Sequence, residues 1–268
     1  MSFPLLRSFL RRDLAIQLSY RADFTMQTAS TLLMLTLFFY IGELVDETDL
    51  TAEADTDVGY FGFVVIGLAL FRILSSGLAS FANRLRNEQT SGTLEAMLSS
   101  PVRSSVAILF SAAFDLVRAT ILAAVLMIAA IAFFGLELDT DPLGIFVALV
   151  TVAGSLAVFA SLGLLLAAFT VVYKQSSAAL QLVTNGIALF SGVYFPLAVF
   201  PDALQTLGNL IPMTWAVDVC RSALLSGEIE LDRFLLLIGS AVVFLPISLW
   251  VTERAVAKAK RQGSLAHY

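Results

Sequence analysis

The sequence predicts an all-α, polytopic membrane protein, and three observations lead there. Hydrophobic residues fill 58% of 268 positions and charged residues only 14%, against roughly 45–50% and about 25% in soluble domains. Mean hydropathy is +0.87. Six apolar stretches run over Phe24–Val45, Val58–Phe81, Val106–Phe134, Leu143–Val172, Ala178–Pro196 and Phe234–Val251, each near the ~20 residues that a bilayer-crossing helix requires.

Six crossings put both termini on one side, with the segments 83–105 and 173–177. Twelve basic residues fall there, against Arg221 and Arg233 on the other side. The excess of positive charge makes the termini cytoplasmic, as expected for a multi-pass protein of the cell (inner) membrane. The acidic pI of 4.9 then describes the outer face, where Asp46, Glu53, Asp139, Asp202 and Glu230 stand among fourteen acids. Such a face suits cation binding or a salty habitat, and a chain with only three lysines favours the latter. Nucleic acid is not an expected partner. The lipid bilayer is.

Residues 1–23 carry Arg7, Arg11, Arg12 and Asp13 too often for the apolar stretch of a signal peptide. With Phe3, Leu6, Phe9 and Leu10 between those charges, the segment reads as an amphipathic helix lying on the cytoplasmic membrane surface, or else as a disordered basic tail. The single Cys220 excludes an intrachain disulfide, and the lone His267 excludes a His-based metal cluster or triad. No internal repeat divides the chain, so 1–268 reads as one transmembrane domain.

Between the second and third spans lies the polar island Asn83–Ser105. Its core predicts one short amphipathic helix: Thr90 or Ser91 caps it, Glu95 favours its N-terminal dipole, and Pro101 follows its last turn. Leu94, Met97 and Leu98 form its apolar stripe. Such a helix is a surface that a cytoplasmic protein could grip.

Arg72 lies inside the second apolar run, and Asp115 and Arg118 inside the third. Asp115 and Arg118 read as an i,i+3 pair snorkelling near the cytoplasmic face. Arg72 lies deeper, about 15 Å from the cytoplasmic end of its span, and is the candidate for facing a cavity and meeting an anionic headgroup or substrate.

The region before the last span, 197–233, contains Pro196, Pro201 and Pro212, which prevent one continuous helix. Ala203–Leu210 and Trp215–Leu225 are helix-compatible, apolar and too short to span. They fit two half-helices forming a re-entrant outer hairpin; an ordinary amphipathic outer loop is the other reading. Asp218 and Arg221, at i and i+3, are expected to neutralise one another.

Two segments carry a family resemblance. EQTSGTLEAMLSSP resembles the E-x-x-x-G-T-L-E-x-L-x-x-x-P segment of ABC-2 type transporter permeases at Glu88, Gly92, Thr93, Leu94, Glu95, Leu98 (shifted by one) and Pro101. GVYFPLAVFPDALQTLGNLIPMTWAVDVCRSALLSG resembles their second signature at Gly192, Phe195, Pro196, Pro201, Pro212, Asp218 and Arg221. Gln89 departs from the basic residue that commonly follows the Glu.

The resemblance implies the membrane half of an ATP-driven exporter, paired with a second copy of itself or a related permease and with a separate ABC ATPase subunit. ATP and Mg would sit on that partner; this chain has no cofactor, metal or catalytic residue of its own, and no G-x-x-x-x-G-K-[ST] phosphate loop. Glu88, Gly92, Thr93, Leu94 and Glu95 would couple to the ATPase. The implied route lies between two copies, along spans one, two and five, with Arg72, Phe38, Phe39, Phe190 and Tyr194 as path candidates. Pro196, Pro201, Pro212, Asp218 and Arg221 would build the outer lid. The cargo would be drug-like, antibiotic or lipid, with polysaccharide or lipid-linked glycan as the alternative. An intramembrane enzyme would require a nucleophile–base pair or metal ligands within the spans, and the sequence offers none.

Overall fold

The computed structural model describes residues 21–44, 59–90, 104–139, 141–173 and 177–261. Every described element is helical: α1 (Arg21–Leu44), α2 (Tyr60–Thr90), α3 (Ser104–Phe134), α4 (Pro142–Tyr173), α5 (Ser177–Phe190), a 3₁₀ turn (Leu197–Val199), α6 (Asp202–Asn209), α7 (Pro212–Arg221) continuing as a π-helical turn (Ser222–Ser226), and α8 (Leu231–Arg261). Five of them, α1 to α4 and α8, are long and apolar enough to cross a bilayer. The chain is a multi-pass membrane protein.

The fifth predicted span differs from expectation. Ala178–Pro196 was the sequence reading, yet α5 has 14 residues and ends at Phe190. That is about 21 Å, short of the ~30 Å hydrocarbon core. Gly192, at φ 71°, turns the chain in a left-handed conformation that only glycine adopts freely, and Pro196 holds it extended. The second span differs in the opposite sense. The helix expected to stop at Phe81 continues to Thr90, because Asn83–Thr90 holds good helix formers and no Gly or Pro. At 31 residues α2 is about 46 Å long, so its end projects beyond an apolar layer. The island Asn83–Ser105 is therefore helical at its start, and α3 begins at Ser104.

The prolines before the last span open helices rather than merely breaking one. Pro196 precedes the 3₁₀ turn, Pro201 is the N-cap of α6, and Pro212 takes the first position of α7. There its missing N–H would be unpaired in any case, and its fixed φ suits the helix. Thr214 donates to the Gly208 carbonyl at 2.7 Å, and the Trp215 indole to Asn209 at 2.7 Å, which ties the start of α7 to the end of α6. The π-helical turn after α7 ends at Gly227, φ 70°.

Packing centres on α2, 72% of whose apolar window is buried, against 11% for α1. α3 and α4 pack on α2, α8 packs most extensively on α4, and α7 inserts among α2, α4 and α8. Met213, Ala216, Val217 and Val219 of α7 are fully enclosed, so α7 belongs to the bundle and is no surface loop. The α2–α4 crossing is backbone on backbone: a Cβ at Gly163 would lie 2.4 Å from the Gly77 carbonyl oxygen and 2.5 Å from the Phe81 ring. Small residues at such crossings let membrane helices approach closely. α1 leaves Leu33, Leu37 and Leu44 exposed, a face that only an apolar surrounding suits.

Candidate functional site

The residues expected to couple to a partner, Gly92, Thr93, Leu94 and Glu95, lie outside the described residues, as does the whole amphipathic stripe through Leu98. Glu88 lies in the last turn of α2. The residues on either side of 91–103 are pinned. Before it, the Arg84 guanidinium donates through Nε at 2.9 Å and through Nη2 at 3.3 Å to the Asp115 carboxylate of α3. After it, the Glu253 carboxylate of α8 accepts from the Ser105 backbone N–H at 3.0 Å and from its hydroxyl at 2.8 Å. A carboxylate at the first turn of α3 satisfies a donor the helix cannot and meets the positive end of its dipole. These contacts tie the end of α2 to α3 and the start of α3 to α8.

Asp115 therefore does not form the expected pair with Arg118. The carboxylate points toward α2, where a planar guanidinium offers two parallel donors, a geometry that an i,i+3 neighbour on one helix cannot supply as well. Glu253 and Ser105 gave no sequence signal, since 148 residues separate them.

A polar cavity of 710 Å³ opens between α1, α2 and α3 beside this frame. Arg72, Ser75, Ser76, Arg84, Asp115 and Arg118 are among its walls. Arg72 lies at its deep end, nine residues before Phe81 on α2, or about 14 Å inside the apolar window, and donates to the Thr31 hydroxyl of α1. On the other side of the α2–α3 pair runs an apolar cleft of 320 Å³ bounded by Ile66, Leu70, Ala123, Ala148 and the buried Cys220.

At the opposite end, Asp218 and Arg221 are not partners. Arg221, 6% exposed, donates through Nε to the Phe63 carbonyl at 3.0 Å and through Nη2 to the Val193 carbonyl at 3.2 Å. Its guanidinium carbon stands 3.3 Å from the Phe63 ring centroid. One side chain thus ties α7 to α2 and to the turn after α5. Gly67 makes room, since a Cβ there would come within 2.9 Å of Nη2 and 2.5 Å of the Val193 oxygen. Asp218 forms its ion pair with Arg233 of α8, which also reaches Glu230 at 3.0 Å. The helix sends the two side chains to different neighbours, and each finds a partner already in place there. Burial, and then the charge of Glu228, raise the Glu230 carboxyl above its ordinary value. Asp141 caps the start of α4, accepting from the Gly144 N–H at 3.3 Å, and Asp139 accepts from the Asp141 N–H at 2.9 Å.

The aromatic path candidates separate into three places. Phe38 stacks on Tyr194 with centroids 6.2 Å apart, and Phe71 joins them at 6.3 Å. Phe39 packs with Phe61 and Phe134 instead, and Phe190 with Phe200. Among the described residues no group of three or more His, Cys, Asp or Glu is placed to hold a metal ion.

Comparison with known families matches residues 5–225 to the ABC-2 type transporter family. Among curated proteins, no match is found. The match takes in α1 to α7, and with them the helices that flank 91–103, the polar cavity and the Arg221 anchor. This chain belongs to the ABC-2 type transporter family.

Proposed function

We propose that this permease component of an ABC transporter works as an exporter, taking a drug-like, antibiotic or lipid substrate from the cytoplasmic side. The observation that carries the reading is the polar cavity reaching from the projecting end of α2 to Arg72, inside the apolar window. A cavity of several hundred Å³ with a few convergent polar groups is the usual form of a small-molecule site. Family membership supports a separate ABC ATPase as partner, holding ATP and Mg. Two copies of this chain, or this chain with a related permease, would complete the route.

In this reading both termini and 91–103 are cytoplasmic, and α5 makes the fifth of six crossings. Residues 1–23 lie on the membrane surface, and α6 and α7 form the re-entrant outer lid. ATP-driven closure of the ATPase pair pushes on 91–103, with Glu88, Gly92, Thr93, Leu94 and Glu95 at the contact. The Arg84–Asp115 and Ser105–Glu253 links carry the displacement into the bundle. Export of polysaccharide or lipid-linked glycan is the second reading, favoured by the Phe38, Phe71 and Tyr194 group, because flat aromatic faces suit sugar rings.

The test is co-reconstitution with the ATPase subunit in proteoliposomes. Glu95→Lys, and more severely Gly92→Pro, should insert normally and retain ATP hydrolysis by the partner, while transport falls at least about tenfold. Undiminished transport by a folded Glu95→Lys protein, with unchanged stimulation of ATP hydrolysis, would remove 91–103 from the coupling path.

A further inference from the structure

We propose that the cavity between α1, α2 and α3 binds the anionic headgroup of an amphiphile, a phosphate or carboxylate flanked by hydroxyl groups, with Arg72 as its seat. The proposal rests on the transport reading above and names its substrate class.

The charge distribution in the cavity leads to this. Arg72 has one hydrogen-bond partner among the described residues, the neutral hydroxyl of Thr31. That hydroxyl spends its own proton on the Gln27 carbonyl at 2.8 Å, so its oxygen is fixed as an acceptor and aims the guanidinium. Among the described residues, the one carboxylate on the cavity wall is Asp115, and both its oxygens are engaged by Arg84. A guanidinium has five donors, which leaves most of those on Arg72 facing the cavity. A cation at such depth without a counter-charge is costly, and residues of this kind mark substrate pathways. An incoming anion offsets that cost; a cation or an apolar ligand does not.

The walls add the second half of the recognition. Ser75 donates to the Arg72 carbonyl at 3.1 Å and Ser76 to the Asp115 carbonyl at 3.3 Å. With their protons committed to the backbone, these hydroxyl oxygens face a ligand as acceptors. They suit a headgroup that donates from its own hydroxyls. The volume of 710 Å³ exceeds what a bare phosphate needs, and an apolar tail is required for the ligand to enter at membrane depth. This favours an amphiphile over a free anion.

The test measures binding to the purified full-length chain in detergent, without the ATPase, so that its outcome is independent of transport. Dihexanoyl phosphatidylglycerol, dihexanoyl phosphatidylcholine and inorganic phosphate are titrated, with thermal stabilisation and native mass spectrometry as readouts. The phosphatidylglycerol should bind saturably and at least about tenfold more tightly than either of the others. Arg72→Gln should lose at least about tenfold of that affinity, Thr31→Val about threefold, and Arg72→Lys should keep part of it. Arg254→Gln, at a guanidinium stacked on Trp250, should change nothing. If Arg72→Gln fails to fold, Thr31→Val decides the matter. Equal binding of the zwitterionic lipid, or wild-type affinity in Arg72→Gln or Thr31→Val, overturns the proposal. Full affinity for inorganic phosphate alone overturns the amphiphile. Binding as expected in a protein that transports nothing would count against the exporter reading and leave the site standing.

Discussion

Replacing Arg221 by Ala should destabilise the protein by about 3 kcal/mol and loosen α7 from α2. A hydrogen bond from a charged donor contributes about 1.5–3 kcal/mol, and a desolvated cation–π contact about 2. The cost of burying the guanidinium opposes both. Arg221→Lys keeps the charge but cannot reach the Phe63 and Val193 carbonyls together, so it should recover less than half of the loss. A double-mutant cycle on thermal stability separates the two candidate partners of Asp218. Asp218 and Arg233, which form an ion pair, should couple by about 1 kcal/mol, whereas Asp218 and Arg221 should be additive within about 0.5 kcal/mol. Coupling in the second pair and none in the first would mean that α7 is held differently.

The second large effect lies at the α2–α4 crossing. Gly163→Ala should cost about 2–3 kcal/mol, because its Cβ would meet the Gly77 carbonyl oxygen at 2.4 Å and backbone cannot rotate away as a side chain can. The two central helices must part, with losses spread along Phe81 and Phe159. Gly239→Ala on α8, where nothing lies within 4 Å, is the control and should stay within about 0.5 kcal/mol of wild type. Thermal unfolding in detergent measures both. A Gly163→Ala protein as stable as wild type would show that the helices do not cross this closely.

These two sites also mark where the sequence is informative and where it is silent. The long spans were legible because lipid demands a continuous apolar run; α3 and α4 begin and end within two residues of the hydropathy reading. The break into short helices was legible from Pro196, Pro201 and Pro212, although each proline opens a turn or helix rather than interrupting one. The shortness of α5 was hidden, since Ser191–Pro196 is apolar enough to prolong the stretch while Gly192 turns the backbone out of it. Charge partners were misread wherever proximity in sequence stood in for proximity in space. Asp218 and Asp115 each had a cation three residues on, and each reaches another helix instead. Arg221 and Phe63 are 158 residues apart, and no local periodicity records such a contact. Arg72 stood out because a charge inside an apolar run is conspicuous; its serine-lined cavity did not, since small hydroxyls inside a helix look like any other packing residue.

In the proposed function, the segment between α2 and α3 is the cytoplasmic handle by which a partner ATPase drives this permease. The most direct measurement is crosslinking in inside-out membrane vesicles containing the partner. A single cysteine is placed at Ala96→Cys or at Glu137→Cys, in a Cys220→Ala background that removes the chain's one native thiol. A thiol-reactive crosslinker should join position 96 to the ATPase subunit, ATP should alter the yield, and position 137 should give no product. A crosslink at 137 but not at 96, or labelling of position 96 by an impermeant reagent from outside intact cells, would contradict it.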